Sequence, residues 1–465
     1  MSRTVIHGGL VITASDEIHA DVLIEGGRVA ALAAHGTDAA AGWSADRRID
    51  ATGKYVIPGG VDAHTHMEMP FGGTFASDTF ETGTRAAAWG GTTTIVDFAI
   101  QTMGRSLQEG LNTWHGKADG NCAIDYAFHM ILSDVNESTL KEMDRLVAEG
   151  ITSFKLFMAY PGVFYSDDGQ ILRAMQRAAG NGGLIMMHAE NGIAIDVLVE
   201  QALAEGRTDP RHHGDVRKVA LEAEATHRAV QLARVAGAPL YVVHVSADEA
   251  LDEIAAARHK GLPVFGETCP QYLFLSTDNL AEPGFDGAKY VCSTPLRPRE
   301  HQEALWRGLR NDELQVVSTD HCPFCFSGQK ELGRGDFSKI PNGMPGVENR
   351  MDLLHQAVVD GHISRRRWIE IACAAPARMF GLYPRKGTIA PGSDADVVVY
   401  DPAAEQTISA ATHHMNVDYS AYEGKRITGR VETVLSRGVP VIEKGGYVGR
   451  AGHGAYVPRG LSQYL

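Results

Sequence analysis

The stretch Leu140-Lys-Glu-Met-Asp-Arg-Leu-Val-Ala-Glu-Gly-Ile-Thr-Ser-Phe-Lys-Leu-Phe157 decides the fold, because it joins a helix directly to a buried strand. The apolar residues between Leu140 and Val147 recur at helical spacing, and Gly150 stands where a helix commonly ends. Residues 151–157 follow as an apolar run of strand length. The stretch therefore predicts one α/β repeat in which the helix covers the strand.

The same alternation extends to both sides of this stretch, and Gly90, Gly237 and Gly261 end other helical segments in the same way. Eight repeats of strand and helix predict a (β/α)8 barrel of the α/β class, with an active site at the carboxyl ends of the strands. A doubly wound parallel sheet is the alternative, because its strands are equally apolar. The predicted strands are residues 55–61, 92–98, 124–132, 151–157, 184–187, 240–243, 263–266 and 314–317.

Both ends of the chain carry a second pattern, made of short alternating segments separated by glycines. Residues 22–25 and 28–30 show it near the N-terminus, and residues 395–400 and 431–435 show it near the C-terminus. We predict that the two ends build one small β-sandwich domain. The predicted division is 1–54 for the first part of the sandwich, 55–382 for the barrel, and 383–465 for the second part and a C-terminal tail.

Composition and charge exclude several classes of protein. The 465 residues carry a net charge of −14, which disfavours nucleic acid as a partner because phosphate binding needs a basic surface. No apolar run approaches the length of a membrane span, and the start of the sequence lacks a signal-peptide pattern. Six scattered cysteines do not form a disulfide framework. We therefore expect a cytoplasmic protein with no membrane or nucleic-acid partner.

Several of the predicted strands are followed by residues that bind metals. Two histidines stand at i and i+2 after the first strand, so both imidazoles point to one face of an extended segment. A single histidine at a strand end is more often packed or hydrogen-bonded than bound to a metal. A set from five strand ends, all at the edge where barrels carry out chemistry, predicts a metal site. The set is His64, His66, Lys155, His188, His244 and Asp320.

Lys155 lies inside the apolar run of residues 151–157, where an unpaired ammonium is costly to bury and repels metal cations. A lysine that reacts with carbon dioxide becomes a carbamate, an anion whose two oxygens can each bind one of two divalent ions about 3.5–4 Å apart. The alternative is a surface lysine that extends from the strand end into water. We predict that Lys155 is an N6-carboxylysine.

Five motifs of this sequence resemble those of the dihydropyrimidinases and D-hydantoinases, which are cyclic amidohydrolases of the amidohydrolase superfamily. The resemblance spans nearly the whole chain and includes residues 55–62, 69–73 and 387–396. It implies a TIM barrel that hydrolyses a cyclic amide. The motifs are His64-Thr-His66, Phe154-Lys155-Leu-Phe-Met-Ala-Tyr160, Met187-His188-Ala-Glu190, Val243-His244-Val-Ser246 and Ser318-Thr-Asp320-His-Cys-Pro-Phe324.

The resemblance implies a binuclear metal site. The ions are most often zinc, with manganese or cobalt as alternatives, and carbon dioxide is the reagent that modifies the lysine. Such a pair lowers the pKa of a bridging water and polarises the substrate carbonyl. A homo-oligomer, either a tetramer or a dimer, is also implied. In this arrangement carboxylated Lys155 bridges two ions, one held by His64, His66 and Asp320 and the other by His188 and His244.

The resemblance also implies catalytic and substrate-binding roles. Asp320 takes a proton from the attacking hydroxide and passes it to the departing ring nitrogen, and the Tyr160 hydroxyl stabilises the tetrahedral oxyanion. Backbone groups around Ser293 and Asn342 hold the amides of the ring. The implied reaction opens neutral cyclic ureides, namely 5,6-dihydropyrimidines and 5-monosubstituted hydantoins, to N-carbamoyl amino acids.

The expected charge of the substrate follows from the absence of an arginine near the paired histidines. Dihydroorotases have an arginine two residues after the second histidine that binds a substrate carboxylate, whereas this chain has Glu68. We therefore expect a small-molecule substrate with a neutral ring and an apolar substituent or none. Methionine and aromatic residues near strand ends more often simply pack in the core, which is the alternative for this set. The residues that can line the pocket for this substituent are Met67, Met69, Phe71, Phe157 and Phe164.

Two rival interpretations remain open. Allantoinases and dihydroorotases share the scaffold and the metals but open other rings, so activity on those rings distinguishes them. A non-catalytic scaffold protein of the same fold is the alternative of another class, and relatives of that kind have lost metal ligands. The complete set of predicted ligands argues against the scaffold interpretation.

Overall fold

Eight parallel strands form a nearly closed barrel in the middle of the chain. The structure is a computed structural model that describes residues 3–464. Each strand pairs with the next in sequence, and a bridge between Thr65 and His321 joins the first strand to the segment after the last. This order confirms the (β/α)8 barrel, because a doubly wound sheet reverses its strand order at a switch point. The barrel strands are Gly60–Thr65, Thr92–Ile100, Asp125–Ile131, Ser153–Phe157, Leu184–His188, Leu240–Val242, Val264–Thr268 and Val316–Val317.

Helices connect the strands and cover the barrel from outside. The helix after the third strand buries Leu140, Met143 and Leu146, and the Asn136 side chain caps its first turn. Within residues 3–464, no helix is both long and apolar enough to cross a membrane. The main helices are Phe80–Trp89, Leu107–Ala118, Glu137–Ala148, Asp168–Asn181, Gly192–Ala204, Val219–Ala236, Asp248–His259, Glu300–Arg310 and Arg350–Val359. Shorter ones are Asp38–Ala41, His212–Val216, Pro270–Phe274, Thr277–Leu280, Asp286–Tyr290, Lys330–Gly333, Phe337–Lys339, Arg365–Ile369, Glu370–Ala374 and Ala375–Met379.

Both chain ends build one β-domain, as predicted. The long strand Glu17–Glu25 pairs through its first half with Leu10–Ile12 and through its second half with Arg3–His7, so it belongs to two sheet layers. Ile6, Val56 and Val397 belong to a small buried core between these layers. The strands are Arg3–His7, Leu10–Ile12, Glu17–Glu25, Arg28–Ala34, Arg47–Asp50, Tyr55–Pro58, Val397–Thr407, Arg426–Ser436, Val439–Glu443 and Gly446–Tyr447.

The first predicted barrel strand is wrong in its extent, because residues 55–61 belong to two different sheets. Tyr55–Pro58 pairs with residues 397–400 in the terminal domain, and the barrel strand begins only at Gly60. Between them, a Cβ on Gly59 would lie 2.1 Å from Thr93 Oγ1, so only glycine fits where the chain passes from one sheet to the other. An apolar run does not indicate which sheet its residues join. The domain boundaries at 54/55 and 382/383 stay a prediction.

A buried lysine joins the barrel to the terminal domain. The Lys386 nitrogen lies 2.6 Å from carboxylate oxygens of Asp125 and Asp396 and 3.1 Å from Asp394. Asp125 begins the third barrel strand, whereas the other two carboxylates precede the terminal strand Val397–Thr407. Because the lysine is 1% exposed, this ion-pair cluster is desolvated and depends on both signs of charge.

Lys386→Met is therefore expected to lower the free energy of unfolding by about 3–5 kcal/mol, since it removes the cation that three buried carboxylates share. Asp125 and Asp394 keep ion pairs with Arg437 and Arg385, whereas Asp396 loses its ion-pair partner. Urea unfolding followed by tryptophan fluorescence measures the loss. Lys141→Met on an exposed helix position is the matched control and is expected to change stability by less than about 0.5 kcal/mol. An equal, small effect of both substitutions would show that the cluster contributes nothing specific.

Candidate functional site

The predicted site residues converge on one cavity at the carboxyl ends of the barrel strands. Met67 is the exception among the predicted lining residues. It is buried, and its sulfur packs against Gly83. The predicted residues that line the cavity are His64, His66, Met69, Phe71, Lys155, Phe157, Tyr160, Phe164, His188, His244, Ser293, Asp320 and Asn342.

Two histidines of the first strand meet the aspartate that follows the eighth. Nε2 of His64 lies 3.1 Å from Oδ1 of Asp320, and Nε2 of His66 lies 3.2 Å from the same oxygen. The two Nε2 atoms are 3.2 Å apart. Three atoms of the kind that bind first-row metals therefore face one point, which makes this group a candidate metal site.

The protonation of these groups fits a divalent ion. Burial lowers the pKa of His66 to about 4, so its imidazole is neutral near pH 7. Burial by itself raises the pKa of Asp320, but the adjacent rings of His64 and His66 bring it well below its usual range. Nδ1 of His66 and of His244 are buried without a hydrogen-bond partner in the described part of the chain. Burial lowers the pKa of His64, but the carboxylates of Glu267 and Asp320 raise it above its usual value. The neutral imidazole of His66 beside the ionised carboxylate of Asp320 provides donors that suit zinc.

The other two predicted histidine ligands lie at the adjacent strand ends. The ring centroids of His188 and His244 are 4.6 Å apart, and that of His244 is 5.6 Å from His64. Nε2 of His188 lies 2.7 Å from Glu190 Oε2, which also accepts a hydrogen bond from Arg217 at 2.7 Å. Burial lowers the pKa of both His188 and His244. These neutral imidazoles face the same cavity as the first group.

Lys155 is 1% exposed at the end of the fourth strand, so the alternative of a surface lysine is wrong. Its nitrogen lies 4.8 Å from the ring centroid of Phe98 and 5.0 Å from that of Phe157. Burial lowers the pKa of Lys155 to about 8. More of this amine is therefore neutral near pH 7 than for an exposed lysine, and only a neutral amine reacts with carbon dioxide.

The three residues predicted to contact the substrate lie together on the cavity wall. The ring of Tyr160 is 5.5 Å from that of His188 and 5.4 Å from that of Phe71. Asn342 Nδ2 donates a hydrogen bond to Ser293 Oγ at 3.1 Å. Burial raises the pKa of Tyr160, so its hydroxyl keeps the proton that a hydrogen-bond donor needs.

Four residues of the strand-end loops adopt left-handed backbone conformations. The φ angles of Glu68, Tyr160, His244 and Asp320 are 53°, 63°, 39° and 52°. Such conformations cost about 1–3 kcal/mol each for residues other than glycine and concentrate at functional sites. Three of the four are predicted site residues, although Asp312, Arg437 and Lys444 adopt left-handed conformations outside the site.

Glu267 is a site residue that the sequence analysis missed. It lies on the seventh strand, is fully buried, and contacts Nδ1 of His64. Its other oxygen accepts a hydrogen bond from Tyr241 at 2.9 Å. A carboxylate on the far nitrogen fixes which imidazole nitrogen faces a metal. The sequence feature that could have indicated Glu267 is the presence of an ionisable residue inside the strand Val264–Thr268, whose residues are all buried.

Glu267→Gln is expected to weaken metal binding by about 10- to 100-fold, because it removes the charge that orients the His64 ring. Titration of metal-free protein with zinc in a competing chelator measures the change. Glu253→Gln is the matched control, since that carboxylate contacts His227 at 2.7 Å on the surface. Equal zinc affinity of wild type and Glu267→Gln would reject the orienting role.

Comparison with known proteins gives similarity along the whole chain. Residues 55–440 match the amidohydrolase family. The chain is 83% identical over 464 residues to the D-hydantoinase of Streptomyces coelicolor, covering 100% of this chain and 99% of that one. It is 50% identical to the D-hydantoinase of Geobacillus stearothermophilus, covering 98% and 96% of the two chains. The crystal structure of dihydropyrimidinase from Brevibacillus agri matches with a TM-score of 0.97 at 51% identity, covering 99% of both chains.

Proposed function

This chain belongs to the amidohydrolase family, and on that premise we propose that it is an enzyme that opens neutral cyclic ureides by hydrolysis of one amide bond. The proposed substrates are 5,6-dihydropyrimidines and 5-monosubstituted hydantoins, and the products are N-carbamoyl amino acids. The observation that carries this proposal is the convergence of every predicted metal ligand on one cavity that also has an apolar wall. That convergence also argues against a non-catalytic scaffold.

We propose that the site takes two divalent ions, zinc in the first instance and manganese or cobalt as alternatives. When bound, such ions acidify a water molecule and polarise the amide carbonyl. Carbon dioxide is the proposed source of a carbamate on Lys155, which the burial and the lowered pKa of that amine support. The proposed ligands are His64, His66 and Asp320 for one ion, His188 and His244 for the other, and carboxylated Lys155 between them.

Asp320 is the proposed proton carrier. Its Oδ1 faces His64 and His66, which leaves Oδ2 to accept a proton from the attacking water and to return it to the departing ring nitrogen. The Tyr160 hydroxyl is the proposed donor to the oxyanion that forms on the attacked carbonyl. Backbone groups of Ser293 and Asn342 are proposed to hold the ring.

A neutral substrate is favoured over a ring that carries a carboxylate. The rings of Phe157 and Phe164 stack with centroids 5.0 Å apart on the cavity wall, which suits an apolar substituent. The guanidinium of Arg217 lies 5.7 Å from the Tyr160 ring, but it is paired with Glu190 and so is not free to bind an anion. These contacts disfavour dihydroorotate.

We further propose a cytoplasmic homo-oligomer, either a tetramer or a dimer. Ile193 and Val197 support self-association, because they are 51% and 49% exposed on the helix Gly192–Ala204. Size-exclusion chromatography with light scattering tests the oligomeric state.

The deciding experiment measures ring opening of dihydrouracil, 5-substituted hydantoins, allantoin and dihydroorotate on protein of known metal content. We expect turnover of the first two substrate types at about two metal ions per chain. A preference for allantoin or dihydroorotate would instead indicate an allantoinase or a dihydroorotase. Protein that takes up no metal in the presence of zinc and bicarbonate would overturn the proposed mechanism.

A further inference from the structure

The proposed substrate-binding segments share an unusual buried cation. Lys330 is fully buried, and its nitrogen donates to the carbonyl oxygens of Val291, Pro341 and Gly343 at 2.9, 2.7 and 2.7 Å. These carbonyls belong to the two segments that carry Ser293 and Asn342. One ammonium therefore uses all three of its protons to tie the two segments together.

This arrangement is costly, which argues that it is not incidental. The partners of the Lys330 ammonium are neutral carbonyls rather than carboxylates, and burial lowers the pKa of this lysine to about 7. A buried cation without an anion is disfavoured, and here hydrogen bonds to three carbonyls offset part of the cost of burying it. Lys386, another buried lysine, instead contacts three carboxylates.

The lysine and two neighbouring side chains occupy the backbone carbonyls on either side of Ser293 and Asn342. The carbonyl oxygen of Cys292 accepts a hydrogen bond from His213 at 2.8 Å. The carbonyl oxygen of Thr294 accepts one from the Tyr272 hydroxyl, also at 2.8 Å. Within residues 3–464, in contrast, the backbone N–H and C=O groups of Ser293 and Asn342 take part in no hydrogen bond. The neighbouring carbonyls are thus occupied, and the free peptide groups belong to the two residues that line the cavity.

From this geometry we propose that Lys330 is the positioning residue that holds the segments 291–294 and 341–343 at the spacing needed to bind the ring of the substrate. The inference rests on the proposed function, because it assigns the free peptide groups of Ser293 and Asn342 to a cyclic ureide. A ring that alternates N–H and C=O groups matches two peptide units that each offer one donor and one acceptor. Lys330 itself does not touch the substrate.

The test compares Lys330→Met, Lys330→Arg and Lys330→Gln with the control Lys339→Met, which changes an exposed lysine of the same loop. For a hydantoin substrate, we expect Lys330→Met to raise KM about tenfold or more, with a smaller change in kcat, because the bonds lost involve a charged donor. Lys330→Arg and Lys330→Gln keep donors and are expected to lie between Lys330→Met and wild type. Metal content is expected to stay unchanged in all variants.

Hydrogen exchange provides a readout that needs no substrate. The Gly343 amide donates to Val291 at 3.0 Å, on the carbonyl that Lys330 also contacts, so this amide is expected to exchange faster in Lys330→Met. If Lys330→Met does not fold, KM and the exchange rate at Gly343 are measured on Lys330→Gln instead. A folded variant with KM within about twofold of wild type, or with unchanged exchange at Gly343, overturns the inference.

The two readouts separate this inference from the proposed function. Faster exchange at Gly343 together with no turnover of any cyclic ureide by wild type would reject the proposed function while supporting the anchoring of the two segments. Normal turnover by wild type together with unchanged exchange and KM in Lys330→Met would reject the positioning role alone.

Discussion

Lys155→Ala is expected to lose tight metal binding and to lower turnover by about three orders of magnitude or more, while the barrel stays folded. The lysine supplies the only proposed ligand shared by both ions, so its loss affects both. The barrel tolerates the change because the lysine side chain points into the cavity rather than into an ion pair with the core. Elemental analysis, circular dichroism and ring-opening assays measure the three expectations.

The carbamate has a separate test, because it requires carbon dioxide as well as an amine. Wild-type protein that has been stripped of metal and carbon dioxide is expected to bind zinc tightly only after bicarbonate is added. Lys155→Ala is expected to give no such response to bicarbonate. An active Lys155→Ala enzyme, or zinc binding by wild type that is independent of bicarbonate, would contradict the carbamate proposal.

Tyr160→Phe is expected to lower kcat by about 10²–10³-fold, because it removes one hydrogen-bond donor to the oxyanion of the transition state. The ring is kept, so its packing against Phe71 and His188 is preserved. Metal content is expected to equal that of wild type. Steady-state kinetics with a hydantoin and elemental analysis measure the two quantities.

Tyr165→Phe is a suitable control for this substitution, because it removes a nearby tyrosine hydroxyl whose residue does not line the cavity. It is expected to leave kcat within about threefold of wild type. Loss of metal in Tyr160→Phe would show that the hydroxyl supports the metal site instead of the oxyanion. Unchanged turnover would show that it has no catalytic part.

The sequence predicted those site residues that lie at the carboxyl ends of the barrel strands. His64, His188 and Asp320 each follow an apolar run, and in a parallel barrel the carboxyl ends of all strands meet at one edge. The resemblance of the motifs then supplied the roles. Met67, one of the residues that could line the pocket, packs in the core instead, and its neighbours in sequence do not reveal that its side chain turns toward Gly83.

The supporting residues could not be predicted, because they act through contacts between distant parts of the chain. Glu267 meets His64 across 203 positions, and Lys330 meets Val291 across 39. Neither contact has a local pattern, since a single buried carboxylate or lysine looks the same in sequence whatever it touches. The split of residues 55–61 between two sheets has the same origin.

The sequence by itself determined the repeated alternation of strand and helix and the identity of the candidate metal ligands, because apolar periodicity and residue type are local properties of the chain. The order of the strands, which distinguishes a barrel from a doubly wound sheet, was decided by the tertiary structure. Only the tertiary structure decided which nitrogen, carbonyl or carboxylate each of these residues faces. Those contacts depend on how the strand-end loops pack against one another, and loop packing is set by the whole barrel rather than by neighbours in sequence.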